Sequence, residues 1–208
     1  MRILSLIVVM GSCVNLSQAS VLFADPETGV TTTFTPTGLT QGAGPFVVNG
    51  FSVTGSPNVA FGDVGYGLAA NGSWSSFPWV ATNNGTGSLT FDLGGLYAFV
   101  GGFMNYAPDN GTDATITAIA ADGTTVLETY DLVTSAPIST PSGSNAGAFR
   151  GISRGAADIR FFQLSGDFII TNTLEVGDST VPEPGTFVLS ALALSALGLL
   201  RRSGRRNV

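Results

Sequence analysis

The residues able to do chemistry in this chain are few, and most are carboxylates. Its 208 residues include no His, and all eight basic residues are Arg. A chain without His or Lys has no imidazole base, no Schiff-base amine and no His-ligated zinc. The one Cys, Cys13, lies inside an apolar N-terminal run. Paired carboxylates can cleave glycosides without either His or Cys. Those available are Asp63, Asp92, Asp109, Asp113, Glu128 and Asp131, and they sit in no recognisable catalytic motif. The chain therefore reads as non-enzymatic and without cofactor, with a carboxylate-dependent glycoside hydrolase as the second alternative. Asp109-Asn110-Gly111-Thr112-Asp113 supplies the hard oxygen ligands that Ca²⁺ takes, but not with EF-hand spacing. Asn and Asp beside Gly are equally what a turn requires, so no metal site is expected. The glycines of Gly62-Asp63-Val64-Gly65-Tyr66-Gly67 suggest a phosphate loop only superficially, because no helical pattern follows them.

The remaining candidate is aromatic. Trp74-Ser75-Ser76-Phe77-Pro78-Trp79 holds both tryptophans of the chain and a third ring within six residues. Flat rings stack on the apolar face of sugars while an indole N–H offers a hydrogen bond. Trp74, Phe77 and Trp79 are thus the carbohydrate-binding candidates. The competing reading is core: in one continuous strand the two tryptophans fall on opposite faces, and one or both are simply buried. Asn71-Gly72-Ser73, Asn84-Gly85-Thr86 and Asn110-Gly111-Thr112 match the N-glycosylation pattern, but as Asn-Gly pairs they read as turns.

The elements that must position these residues are strands. Val30-Thr31-Thr32-Thr33-Phe34 is β-prone, as are Phe46-Val47-Val48 and Phe51 to Val53, interrupted by Asn49-Gly50. In Ser88-Leu89-Thr90-Phe91-Asp92-Leu93 the apolar residues alternate onto one face. Gly94-Gly95 separates that strand from Leu96-Tyr97-Ala98-Phe99-Val100, and Gly101-Gly102 marks a further break. Thr115 to Ala120 alternates too, and Asp122-Gly123 then predicts a two-residue type I′ hairpin. Late strands are expected over residues 159–164 and 168–173. Residues 135–147, rich in Ser, Pro, Gly and Asn, read as a long surface loop, and residues 173–180 as the exit to a linker. Many short strands with Gly-rich turns and no sustained helical period imply an all-β fold, a β-sandwich or jelly-roll-like ectodomain. Charged residues are 11% of the chain, against roughly 25% in an average soluble protein. Residues 20–180 carry thirteen acidic residues and three arginines, a net charge of −10. Such a domain repels phosphate backbones, so nucleic acid is not an expected partner.

The two ends carry addresses. Arg2, the apolar run from Ile3 to Met10, and small residues at Ser17 and Ala19 have the order of a signal peptide over residues 1–19, cleaved between Ala19 and Ser20. Cys13 admits a lipoprotein reading, which Met10 at the third position before it disfavours. At the other end, Val181-Pro182-Glu183-Pro184-Gly185-Thr186 is followed by the uncharged residues 187–200 and then Arg201, Arg202, Arg205 and Arg206. Pro182 and Pro184 forbid a regular helix or a central strand, so that motif is extended and accessible. The apolar run is rich in helix formers. As a helix it spans about 21 Å, short of the roughly 30 Å bilayer core. The four arginines would hold the tail on the cytoplasmic side and make the run a short transmembrane helix.

This three-part tail resembles the PEP-CTERM sorting signal of exported bacterial proteins, through Pro182, Glu183, Pro184, the apolar residues 187–200 and the terminal arginines. The resemblance implies recognition by an exosortase, a membrane-embedded protease/transpeptidase that removes the tail near the motif. It also implies a setting of exopolysaccharide production and biofilm or floc formation. Phe149-Arg150-Gly151-Ile152, Ile159-Arg160-Phe161-Phe162 and the Asp92-Leu93-Gly94 turn loosely resemble the jelly-roll ectodomains that many such proteins carry, some of them galactose-binding-type modules. The expected organisation is signal peptide 1–19, ectodomain 20–175, and linker plus sorting tail 176–208. The expected life history is export, an inner-membrane intermediate, then the cell surface or the extracellular space. The expected role is a structural or adhesive matrix component whose partner is exopolysaccharide, with a carbohydrate-binding module as the alternative.

Overall fold

The computed structural model describes residues 19–35, 38–75 and 78–178. Regular structure there is almost entirely strand; the helical pieces are the one-turn α1 (Leu132–Ser135) and a 3-10 turn at Ala69–Asn71. One sheet has six strands, from edge to edge β13 (Val126–Asp131), β12 (Thr115–Ile119), β15 (Ile159–Ser165), β10 (Ser88–Tyr97), β5 (Phe51–Ser56) and β4 (Phe46–Val48). The other has nine. It runs from β1 (Ser20–Leu22) through β14 (Ala148–Ser153) to β11 (Phe99–Asn105), whose far edge is shared by two branches. One branch is β16 (Ile170–Thr171), β9 (Trp79–Thr82), β6 (Val59–Gly62) and β3 (Thr40–Gly42). The other is β17 (Thr173–Gly177) and β2 (Val30–Thr33). A two-stranded ribbon, β7 (Tyr66–Gly67) with β8 (Ser73–Trp74), completes the set.

The two large sheets share one apolar core, which makes the body sandwich-like. The alternation read from β10 holds: Leu89 and Phe91 are fully buried, and Leu93 nearly so. With Ile116, Phe162 and Leu164 they meet Val80, Val100, Met104, Ile152 and Leu174 of the nine-stranded sheet. Phe91 stacks on Phe34 with ring centroids 5.7 Å apart. Each such side chain contributes about 1.5–3 kcal/mol on leaving water.

Several glycine-based expectations need correction. The two-residue type I′ turn is at Asn49-Gly50, where φ is 49° and 90° and Val48 pairs with Phe51. Asp122-Gly123 does lie in the hairpin joining β12 to β13, but in a longer loop, closed by Ala120 N–H to Thr125 O with only Gly123 at positive φ (73°). Asp122 ties that loop by accepting from the N–H groups of Thr124 and Thr125. These bonds and that of the Thr125 hydroxyl, the last the strongest, hold its carboxyl down to about 2. Gly94-Gly95 lies inside β10, where the ladder register shifts, and the chain changes sheets at Ala98 instead. Gly101-Gly102 does not break β11. A Cβ on Gly102 would lie 2.2 Å from Thr173 O, so the glycine allows a neighbouring backbone to come close.

Residues 135–147 are not a loose surface loop, because Ala136 and Ile138 are buried. The buried Asn71 side chain donates to Ile138 O (3.1 Å) and Tyr106 O (3.0 Å) and accepts from Thr140 N–H (3.1 Å). Arg150 adds bonds of 2.7 Å to the carbonyls of Ala136 and Pro137. Residues 173–177 are not an exit segment either: β17 lies between β11 and β2. Its Glu175 is 1% exposed and accepts from Gly29 N–H (3.2 Å) and the Thr31 hydroxyl (3.0 Å). Burial, then the nearby Asp25 carboxyl, push the Glu175 carboxyl above the ordinary glutamate range.

Candidate functional site

Trp74 and Trp79 form no open platform, which corrects the carbohydrate reading of that stretch; Phe77 lies outside the described residues. The two rings are 0% and 1% exposed. Trp74 ends β8 and Trp79 begins β9, so the two belong to separate strands and both enter one apolar cluster rather than opposite faces of a single strand. That cluster lies on the far side of the nine-stranded sheet, with Leu68, Ala60, Ala81 and Ile170. Trp74 stacks on Phe103 at 5.9 Å, and Trp79 lies 4.8 Å from the Tyr66 ring. Each indole N–H donates to a carbonyl at 2.8 Å, Trp74 to Ala146 and Trp79 to Val64. A stacked sugar needs a ring face open to water, and here protein covers both.

The carboxylates named from sequence are employed locally. Asp63 accepts from Gly38 N–H at 3.2 Å, Glu128 pairs with Arg154 at 3.0 Å, and Asp131 caps α1 through Val133 N–H at 2.8 Å. The 109–113 segment folds as a turn around buried Asp167, whose Oδ1 accepts from Asn110 N–H at 3.0 Å. Burial, joined by the charges of Asp113 and Asp109, raises the Asp167 carboxyl. Among the described residues no three acidic side chains gather as a metal site.

Asp92 is placed differently, on the outer face of the six-stranded sheet. Strand alternation that sends Phe91, Phe162 and Leu164 inward sends Thr90, Asp92, Phe161 and Gln163 outward. Register sets Asp92 between Ser52 and Phe161, and Thr90 between Thr54 and Gln163. Gln163 Nε2 donates to the Thr90 hydroxyl at 3.0 Å. Arg160 Nη2 lies 2.8 Å from Asp92 Oδ1, which also accepts from Gly94 N–H at 3.0 Å. Burial alone would raise the Asp92 carboxyl; the Gly94 bond and the bonded Arg160 charge outweigh it and hold it below the usual range. The Arg160 guanidinium is 5.7 Å from the centre of the Phe161 ring. A Cβ on Gly123, on the β12–β13 loop, would lie 3.7 Å from that ring. Ser52, Thr54, Thr90, Asp92, Gly123 and Phe161 line a depression of about 380 Å³. Sequence reading missed it, although Phe161-Phe162 was a signal: in a strand, two adjacent rings cannot both face the core.

The nine-stranded sheet's last strand ends at Gly177, and only Asp178 and Ser179 follow before residue 180. Residues 180–206 match the family model of the PEP-CTERM protein-sorting motif. The chain carries a PEP-CTERM sorting motif. The PEP-CTERM motif marks an exported protein that exosortase, a membrane enzyme, processes and sorts to the cell surface. Pro182, Glu183, Pro184 and the four terminal arginines fall within the match and outside the described residues, as does the apolar run 187–200. Among the described residues no helix is long and apolar enough to cross a membrane. Ser20, after the expected signal cleavage, is the first residue of β1 and pairs with Ser153. No curated protein and no solved structure matches the chain.

Proposed function

We propose that this is an exported, non-enzymatic protein of the cell surface or extracellular matrix, structural or adhesive in an exopolysaccharide or biofilm setting. The observation that carries the reading is the PEP-CTERM match beginning three residues after the last strand of a self-contained β body. On this reading the signal peptide is cut between Ala19 and Ser20 without disturbing β1. The apolar run then parks the chain in the inner membrane, and the arginines hold the tail inside. Pro182-Glu183-Pro184 stays extended outside for the processing enzyme. At about 3.3 Å per residue, Gly177 lies within roughly 17 Å of Pro182 along the chain, so processing near the motif leaves every ladder intact. The local engagement of Asp63, Glu128 and Asp131 supports a non-enzymatic body.

The test is the mature protein's two termini, read by mass spectrometry from surface and medium fractions. The expected form begins at Ser20 and lacks residues 187–208. Glu183→Ala, or deletion of residues 201–208, is expected to leave an uncleaved membrane form. An intact tail on wild-type surface protein sinks the proposal.

A further inference from the structure

The depression over Phe161 has the chemistry of a ligand site. Its volume of about 380 Å³ is within the roughly 300–1,000 Å³ of small-molecule pockets. It brings together one partly open aromatic ring, the hydroxyls of Ser52, Thr54 and Thr90, and the carboxylate of Asp92, which is paired with Arg160. Both bonds made by Asp92 go to Oδ1, so Oδ2 keeps its lone pairs for a ligand. Arg160, spent on Asp92, cancels its charge, so the depression carries no local net charge to attract an ion. The acidic body repels anions besides. What complements a neutral surface of hydroxyls beside one ring is a neutral ligand that is polyhydroxylated on its edges and apolar on a face. Hexopyranose units have that construction: C–H groups stack on a ring while equatorial hydroxyls bond sideways.

The geometry points to the outer face of the six-stranded sheet, at Phe161, Asp92, Thr90 and Thr54, as a binding site for a neutral saccharide chain. Phe161 is the stacking platform, Asp92 Oδ2 accepts from a sugar hydroxyl, and Gly123 of the hairpin loop borders the site. Gln163 adjoins the depression on the same face, its Nε2 donating to the Thr90 hydroxyl at 3.0 Å. For where the saccharide is met, this rests on the surface-matrix reading above, and the tryptophans play no part in it.

The test is affinity electrophoresis of the mature chain through gels holding the producing organism's purified exopolysaccharide, galactomannan or a neutral β-glucan. Retardation by at least one is expected. Phe161→Ala should weaken it about tenfold, the scale of one stacked ring. Thr54→Arg, at an exposed position, should abolish it by filling the depression while the unfolding midpoint stays that of the wild type. No retardation by any of the three overturns the assignment. So does retardation that survives Thr54→Arg, that EDTA removes, or that only a sulfated polymer produces. Failed binding with correctly processed termini sinks this site alone; a retained tail with intact binding sinks the sorting reading alone.

Discussion

Replacing Trp79 separates a core residue from a sugar platform. Its ring is 1% exposed, packed at 4.8 Å against Tyr66 and enclosed by Leu68 and Ala81. Trp79→Ala removes one of the two largest side chains from a small cluster and leaves a cavity, a loss of about 3–5 kcal/mol. The hydrogen bond adds little, since its acceptor belongs to exposed Val64 and can take water instead. Total stability of a domain this size is about 5–15 kcal/mol, so the variant should fold but lose much of its margin. With a urea slope of about 2 kcal/mol/M, the unfolding midpoint falls by about 2 M. The measurement is a urea titration of the mature protein, followed by the fluorescence of the remaining Trp74. Trp79→Phe keeps a ring against Tyr66 and should lose only about 1–2 kcal/mol. An unchanged midpoint in Trp79→Ala, together with lost polysaccharide binding, would refute the burial argument and restore the platform.

Glu175→Gln should raise the thermal midpoint at pH 7. The native carboxyl titrates above its unfolded value, so the native state binds the proton more tightly. That contribution is full below the ordinary glutamate range and is lost as pH rises through the raised value. The advantage of the Gln variant should therefore shrink toward pH 4; a constant difference across that window contradicts the assignment. Gly102→Ala places a Cβ 2.2 Å from the Thr173 carbonyl, between paired strands that cannot both move. It should lower stability by about 3 kcal/mol or more in a calorimetric scan, and a midpoint within a degree or so of wild type would show that the strands yield.

The parts of the fold legible in the sequence are those set by near neighbours. Leu89, Phe91 and Leu93 declare a buried face by period two alone, and Asp122-Gly123 marks a hairpin. What stayed hidden depends on distant partners. Gly101-Gly102 has the composition of a turn; only Thr173, some seventy residues on, makes it a point of close approach. Trp74 is covered by a segment 72 residues away, through Ala146, so no local pattern reveals that it is buried. Ser, Pro and Gly made residues 135–147 look free, whereas Asn71 and Arg150 supply the missing backbone partners from afar. The Phe161 depression needs three strands and a hairpin loop in register, which alternation suggests one strand at a time but never assembles. The sorting tail was readable because its signature is linear in sequence: a Pro-Glu-Pro motif, an uncharged stretch and an arginine cluster in fixed order.

The strand that completes the nine-stranded sheet is also the last one made. β17 must slide between β11 and β2, and its Glu175 reaches Gly29, 146 residues earlier. A closure of that span is slow, and it cannot begin before Gly177 has left the export channel. On the proposed reading, the uncharged stretch that starts only ten residues later would by then be entering the bilayer. On that reading maturation on the outer side is timed: the body would zip shut while the chain is still moored, within roughly 33 Å of the membrane at about 3.3 Å per residue. The processing cut would then fall on a finished particle.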